Sequence, residues 1–319
     1  MISVSTHPPA ALPSRTVRQV KGMVAAPAGE FLMGSDTEYP EERPAHRETV
    51  ASFLIDEHPV TNAEFRRFVK ATDWVTTAER APVPADFPDA DPADLVPGSL
   101  VFVPTAGRVS LDDWQQWWRW VPGADWRHPR GPGSTLHGLD RHPVVHVSYE
   151  DAAAYAHWAG KALPTEIEWE YAARGGRPPT TYAWGEEMTP RGRLMANTWI
   201  GEFPWRNDDA RHPLTSPVGS YPPSGWGLVD MIGNVWEWTS TPWTPSHDGH
   251  AETAPSPSPC CGVSPLTEGH RLTIKGGSHL CAPSYCRRYR PPARQGQTIR
   301  STTSHIGFRC ILRESTVAG

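Results

Sequence analysis

The chain has 319 residues, 38% hydrophobic and 20% charged, with 35 prolines, 27 glycines, 15 tryptophans, a net charge of −5 and a pI of about 6.3. This length and apolar content exclude a mainly disordered chain, and the proline content excludes long uninterrupted helices and central strands. The slight acidity points away from a nucleic-acid partner, and no run of 18 apolar residues offers a membrane span.

Residues 1–20 are proline-rich and lack an apolar signal core, so they read as a disordered lead without a secretory signal. Residues 21–56 read as two strand regions, KGMVAAPAGEFLMGS and HRETVASFLIDEHPVT. Thr61 or Asn62 then caps a helix through AEFRRFVKAT, where Phe65, Phe68 and Val69 fall at helical spacing. Residues 80–145 read as irregular. Their Trp114, Trp117, Trp118, Trp120 and Trp126 are either an aromatic core under a long loop or a platform on which a ligand stacks.

Ser148 with Asp151 makes a capping-box variant, and the helix that follows ends at Gly160. Thr165 with Glu168 opens a second helix, with Trp169 and Ala172 facing inward and Gly175-Gly176 as the stop. Beyond residue 177 the pattern is loops and short strands. No repeat and no linker divides the chain, which reads as one domain over about residues 21–315.

Five cysteines, two of them adjacent (Cys260 and Cys261), do not form the spaced, even set of a secreted disulfide scaffold. They suit a reducing, cytoplasmic compartment. Cys281 and Cys286 stand as C-x4-C within GGSHLCAPSYCRRYR, residues 276–290. Such a pair has three readings: a disulfide, half of a zinc site, or a reactive dithiol that takes a soft metal such as Cu(I). Arg287, Arg288 and Arg290 are placed to favour the thiolate form.

In GLVDMIGNVWEWTS, residues 227–240, Asp230 and Glu237 supply hard carboxylate oxygens, and Gly233 and Val235 could add carbonyls to a Ca²⁺ cage. The plain alternative is a turn with solvated carboxylates. Asn197, in ANTWIGEFP, offers an amide oxygen. In SHIGFRC, Gly307 reads as a close-packed strand residue, and Arg309 is either buried on a carboxylate or exposed. His142 and His146 flank Pro143 in a strand-like stretch and read as packing or hydrogen-bonding residues. Neither a nucleotide loop nor a G-x-S-x-G elbow is present.

The segments GEFLMGS, HPVTNAEFRRFV, HPVVHVSYEDAAAYAHWAGKALPTEIEWEYAARGG, ANTWIGEFPWRN, GLVDMIGNVWEWTS, KGGSHLCAPSYCRRYRPPAR and HIGFRC occur in this order. The run resembles the formylglycine-generating enzymes, or sulfatase-modifying factors, and looks most like an actinobacterial member. The two cysteines of GGSHLCxxSYCxRYR are its most specific match. The resemblance implies a single-domain, C-type-lectin-like α+β fold with little regular secondary structure. It implies a monomer that oxidises the cysteine of a Cys-x-Pro-x-Arg motif in a sulfatase polypeptide to Cα-formylglycine, using O₂ and Cu(I).

Carried over by position, Cys281 and Cys286 correspond to the copper- and substrate-binding pair. Ser278 and Trp236 correspond to pocket residues, and Tyr285, Arg288 and His305 to substrate-side positions. Asp230, Gly233, Val235 and Glu237 correspond to one Ca²⁺ site, and Asn197, Thr198 and Asp209 to another. The animal enzymes' disulfides have no counterpart, Cys310 being left a lone thiol and Pro291 replacing a cysteine. Their asparagine is replaced by His305. Two other classes compete: a non-catalytic lectin-like binding module, which has no need of the cysteine pair, and an iron-dependent sulfoxide synthase, which needs an iron triad and a further domain.

Overall fold

Proline and small polar residues cut the N-terminal strand regions into four short strands. The computed structural model describes residues 20–84, 91, 93, 95–209, 211–248 and 271–313. The expected N-terminal lead (all but residue 20), Cys260, Cys261 and the end of the expected domain lie outside them. Strands β1 (Met23–Ala26) and β2 (Gly29–Met33) fall either side of Pro27, followed by β3 (His46–Val50) and β4 (Phe53–Asp56). β2 pairs with β3. β4 lies between β1 and the C-terminal β13 (Ile311–Arg313), so the two ends of the domain share one sheet.

The helix starts follow the sequence closely. Thr61 caps α1 (Asn62–Thr72), Ser148 caps α2 (Tyr149–Trp158) and Thr165 caps α3 (Glu166–Arg174). Each cap is reciprocal: the Thr165 hydroxyl accepts from the Glu168 N–H, and the Glu168 carboxylate accepts from the Thr165 N–H. A cap of this kind stabilises by about 1 kcal/mol.

The stretch expected to be irregular holds a hairpin, β5 (Gly98–Phe102) with β6 (Trp118–Pro122). A 15-residue connection separates the strands and hides the pairing from local pattern. Trp117, Trp118 and Trp126 are buried, while Trp120 is 40% exposed. Trp117 and Trp118 do not join the main core. They build a second cluster with Phe102, Trp199, Phe203, Leu280 and Ala282, against the cysteine loop.

A small hairpin follows, β7 (Gly201–Glu202) with β8 (Arg206–Asn207). The central sheet has the order β11 (Arg294–Thr298), β10 (Arg271–Lys275), β9 (Trp236–Pro242), β12 (Ile306–Gly307), with only β12 parallel to its neighbour. Gly307 is required there, because a Cβ would lie 2.7 Å from the Val144 carbonyl. Arg309 is fully buried, and its Nε and Nη2 donate to Glu237 at 2.8 Å each. Among the described residues, no helix is long and apolar enough to cross a membrane.

Candidate active site: a buried cysteine pair

Strand β10 ends at Gly276-Gly277, and the loop that follows returns at β11. Both glycines have left-handed φ, +95° and +72°. A Cβ on Gly277 would sit 2.8 Å from the Arg288 carbonyl, so the loop closes tightly on itself. Gly277→Ala is expected to destabilise the fold by about 1–2 kcal/mol, measurable by urea unfolding; no change in midpoint would show that the left-handed turn is not needed.

Two short turns place the sulfurs. The Cys281 N–H donates to the Ser278 carbonyl at 3.0 Å, and the Cys286 N–H to that of Ala282 at 2.9 Å. The loop is also tied to its surroundings. The Cys281 carbonyl accepts from the Trp199 N–H at 3.0 Å, and the His279 N–H donates to the Asn234 carbonyl at 3.0 Å. The Asn234 N–H in turn donates to the Asn197 carbonyl at 2.8 Å. Segments around 197, 234 and 281 are thus laced by main-chain bonds, which fix position better than side-chain contacts.

The Cys281 and Cys286 Sγ atoms face each other at 3.3 Å. A disulfide is about 2.05 Å, so no disulfide joins them, and each is 1% exposed. The Ser278 N–H points at the Cys281 sulfur at 3.4 Å. Arg288 Nη1 lies 3.9 Å from the Cys286 sulfur, while Nε and Nη2 hold Glu41 at 3.1 and 2.6 Å. Its guanidinium stacks 3.9 Å above the Tyr39 ring. The other two arginines do not serve as expected: Arg290 is committed to Glu42, and the half-exposed Arg287 pairs with Glu38. Beneath lies a dry ion network. Lys275 and Arg294 hold Glu166, and Lys275 and Arg174 hold Glu170. Burial opposes the Glu170 charge, but Lys275 and Arg174 outweigh it and hold the carboxyl at about 2.

The remaining expected site residues divide into two groups. Trp236 shares the buried cluster of Cys281 and Cys286, and its N–H donates to the His305 carbonyl at 2.9 Å. His305 packs its ring 4.8 Å from that of Trp118, and its Nδ1 bonds the Thr303 hydroxyl at 2.7 Å. Tyr285 stacks on Phe203 at 4.6 Å and meets Trp117 edge-on. These residues surround the cysteine loop. Of the tryptophans read as either core or platform, Trp117 and Trp118 form a wall beside it, Trp114 packs on them, Trp126 belongs to the main core and Trp120 is exposed. His142 and His146 serve as hydrogen-bonding residues, to Thr215 and to Ser99 with the Pro129 carbonyl.

The carboxylates expected to face calcium are differently committed. Glu237 is held by Arg309 and by the Trp169 Nε1–H at 2.8 Å. Asp209 is held at both oxygens by Arg211, 3.0 Å each. An arginine fork takes a carboxylate in two parallel bonds, and the two oxygens keep further lone pairs. Asp230 differs: it accepts from the Gly219 N–H at 2.7 Å, and burial pushes its carboxyl up to about 6. Asn197 donates to the Leu214 carbonyl and the Asn234 Oδ1, Thr198 is buried beside it, and Gly233 packs on the Asn197 carbonyl. Among the described residues, no group of three or more His, Cys, Asp or Glu side chains is placed to hold a metal.

Sequence reasoning did not find Tyr39, Glu41 and Glu42. The run YPEE looks like a solvated turn, and its partners lie 247 and 248 positions away. It also did not single out Trp199, Phe203 or Tyr289, each of which packs on the cysteine loop.

Short strands, capped helices and a reduced dithiol in the core define a C-type-lectin-like protein built around a thiol site. A model of the sulfatase-modifying factor enzyme 1-like domain matches residues 9–314, and the chain belongs to that family. It is 55% identical to the formylglycine-generating enzyme of Mycobacterium tuberculosis, over 91% of this chain and 97% of that protein. It is 37% identical, over 92% and 86%, to a mouse protein named inactive C-alpha-formylglycine-generating enzyme 2. Among solved structures, PvdO from Pseudomonas aeruginosa matches with a TM-score of 0.57 at 24% identity, covering 96% of this chain and 100% of that one. That likeness bears on the fold.

Proposed function

We propose that the protein generates formylglycine: it oxidises a cysteine in a Cys-x-Pro-x-Arg segment of a sulfatase polypeptide, with O₂ as acceptor and Cu(I) as cofactor. The observation that carries this reading is the Cys281–Cys286 pair, its sulfurs facing at 3.3 Å with no disulfide between them, in a chain 55% identical to a formylglycine-generating enzyme.

The residues fit a soft metal. Two thiols face each other without a hard donor bridging them, and thiolate sulfur selects Cu(I). Cys281 and Cys286 would hold the ion, and when bound it supplies the one-electron chemistry that lets O₂ react with a closed-shell thiol. The chain's own groups do the rest. The Ser278 N–H stabilises negative charge on the Cys281 sulfur, and Arg288 does so for Cys286. Glu41 and Tyr39 hold the Arg288 guanidinium in place. The indole rings of Trp117, Trp118 and Trp236 exclude water around the reacting sulfur, with Tyr285 and His305 bordering the same space. A reducing compartment, the cytoplasm, is part of this reading, because the pair must be free to act.

Calcium fits only in part. Asp230, with the Gly233 and Val235 carbonyls, has the oxygen hardness for a structural Ca²⁺. Glu237 and Asp209 would share their oxygens between an ion and their arginines, and Asn197 and Thr198 would join Asp209 at a second ion. No step is assigned to calcium.

The inactive mouse relative favours a second reading, a non-catalytic module of the same fold. One experiment separates the two. Reduced protein, a Cys-x-Pro-x-Arg peptide, air and stoichiometric Cu(I) are incubated, and the peptide is analysed by mass spectrometry after trapping with a hydrazine. A hydrazone-bearing peptide that forms only with copper is expected. Unchanged peptide that nevertheless binds the protein would establish the module instead.

A further inference from the structure

The ion network beneath the cysteine loop is unequal in charge. Lys275 ends β10, Arg288 and Arg290 come from the returning side of the loop it starts, and Arg294 opens β11. Arg174 joins them from α3. All five cations are buried, from 0% exposed at Lys275 to 7% at Arg288. Facing them are four buried carboxylates, Glu41 and Glu42 of the YPEE turn and Glu166 and Glu170 of α3.

The pairing is continuous. Glu41 takes Arg288, Glu42 takes Arg290, Glu166 takes Arg294 and Glu170 takes Arg174. Lys275 has no carboxylate of its own: it shares Glu170 at 2.9 Å and Glu166 at 3.4 Å with their arginines. Arg294 Nη1 also donates to the Glu41 carbonyl at 3.0 Å, which joins the two halves. Burial raises the Glu42 carboxyl while Arg290 opposes it, and with both oxygens in the Arg290 fork it stands as an ion pair. His247 lies against the network, and burial holds it neutral. Arg287 and Glu38, nearer the surface, cancel each other. Among the described residues, five buried cations thus meet four buried anions. A surplus charge in a dry interior is costly unless a counter-charge stands near. The network reaches the cysteine pair through Arg288, whose Nη1 lies 3.9 Å from the Cys286 sulfur. Two thiolates around a monovalent ion carry one net negative charge; around a divalent ion they carry none.

We propose that Lys275 supplies the surplus positive charge that selects the ion at Cys281 and Cys286. It favours a monovalent soft cation, held as a singly negative bis-thiolate, over divalent zinc, held as a neutral one. This inference rests on the copper reading above. It makes Lys275 a specificity-determining residue that acts on the metal through its field, without touching it.

The test measures Cu(I) and Zn(II) affinities of the reduced, full-length protein without oxygen, each by competition with a chromophoric chelator, and expresses them as a ratio. The Cys281→Ser, Cys286→Ser protein reports metal bound elsewhere, which is subtracted. Lys275→Met removes the surplus and leaves every carboxylate its arginine, so it should fold. Glu170→Gln enlarges the surplus by one. A unit charge about 10 Å from another, at an effective dielectric of about 20, shifts an equilibrium about tenfold or more. The Cu(I)-to-Zn(II) ratio is therefore expected to fall about tenfold in Lys275→Met and to rise by a similar factor in Glu170→Gln. A shift in the same direction in both variants would mark structural disturbance instead of charge and overturn the proposal, as would ratios within about twofold of wild type. Wild-type protein with free thiols that takes up no Cu(I) would instead remove the copper reading, and the inference with it.

Discussion

Serine in place of either Cys281 or Cys286 is expected to lower aldehyde formation at least about a thousandfold, as removal of one member of a unit that acts together does. The oxygen is close in size to sulfur but is a hard donor, and its proton is not lost near neutral pH. The two turns that place these residues use main-chain atoms, so the fold should survive the change. Cys310→Ser is the control. Burial, with Asp56 next in effect, pushes the Cys310 thiol up, so it is not a thiolate. Its N–H binds Asp56 and takes no part in the cysteine loop. That variant should keep most activity while losing about 1–3 kcal/mol of stability from a buried hydroxyl. Peptide mass spectrometry and urea unfolding on the same samples read both quantities. Appreciable turnover by either active-site variant would refute the assigned chemistry.

Acid is expected to unfold the protein early. Burial holds His146, His247 and His279 neutral, with pKa values lowered to about 4. An unfolded histidine takes its proton near 6.5, so stability is flat above that pH and falls as pH drops from 6.5 toward 4. By pH 5 the fully buried His146 and His279 each lose about 2 kcal/mol, and the less enclosed His247 rather less. Asp230 works the other way: raised to about 6, it gains a proton in the folded state first and returns about 1 kcal/mol by pH 5. Glu42, Asp56 and Asp151 are also raised by burial and act in the same sense at lower pH. Below about 4.5, Glu170 adds a loss of its own, because its carboxylate is held down by Lys275 and Arg174 against burial. The net effect, about 4 kcal/mol by pH 5, is large beside a total of about 5–15. Stability measured by urea at pH 7, 6 and 5 should show this slope. His146→Asn, which keeps a residue tolerant of the left-handed backbone at this position, should remove about half of it; an unchanged slope would clear His146 of the role.

The local features were the legible ones. Ser148 with Asp151 and Thr165 with Glu168 announce their helices because a capping box is written within four residues. The choice between Thr61 and Asn62 resolved to Thr61, which has Glu64 three positions on. Gly307 was readable as a close approach, though not what it approaches. The Arg309 question turned on Glu237, 72 positions away, and spacing could not decide it. Still greater separations, 247 and 248 positions, hid Glu41 and Glu42, whose sequence context suggests solvent. For the site, two cysteines with four residues between them were visible; their wall of Trp117, Trp118 and Phe203 was not, since it comes from a hairpin and a loop with no shared period. At Glu237 and Asp209 the sequence did not show the arginine partners. Residue type marks them as oxygen donors, but the arginine that claims each is known only once the chain is folded.

The bonds from Glu41 and Glu42 to Arg288 and Arg290 have a consequence for how the molecule is made. They close loops of 247 and 248 residues, among the most distant pairings this chain can have. Contacts so far apart form late, after the intervening chain has paid its closure entropy. During synthesis, the acidic pair waits in solvent until nearly the whole polypeptide has emerged. Cys281 and Cys286 leave the ribosome near the end of that wait, before the clamp over their loop can close. The newborn protein therefore passes through an interval in which the two sulfurs of its cysteine pair are bare, open to whatever oxidant surrounds the chain during those moments.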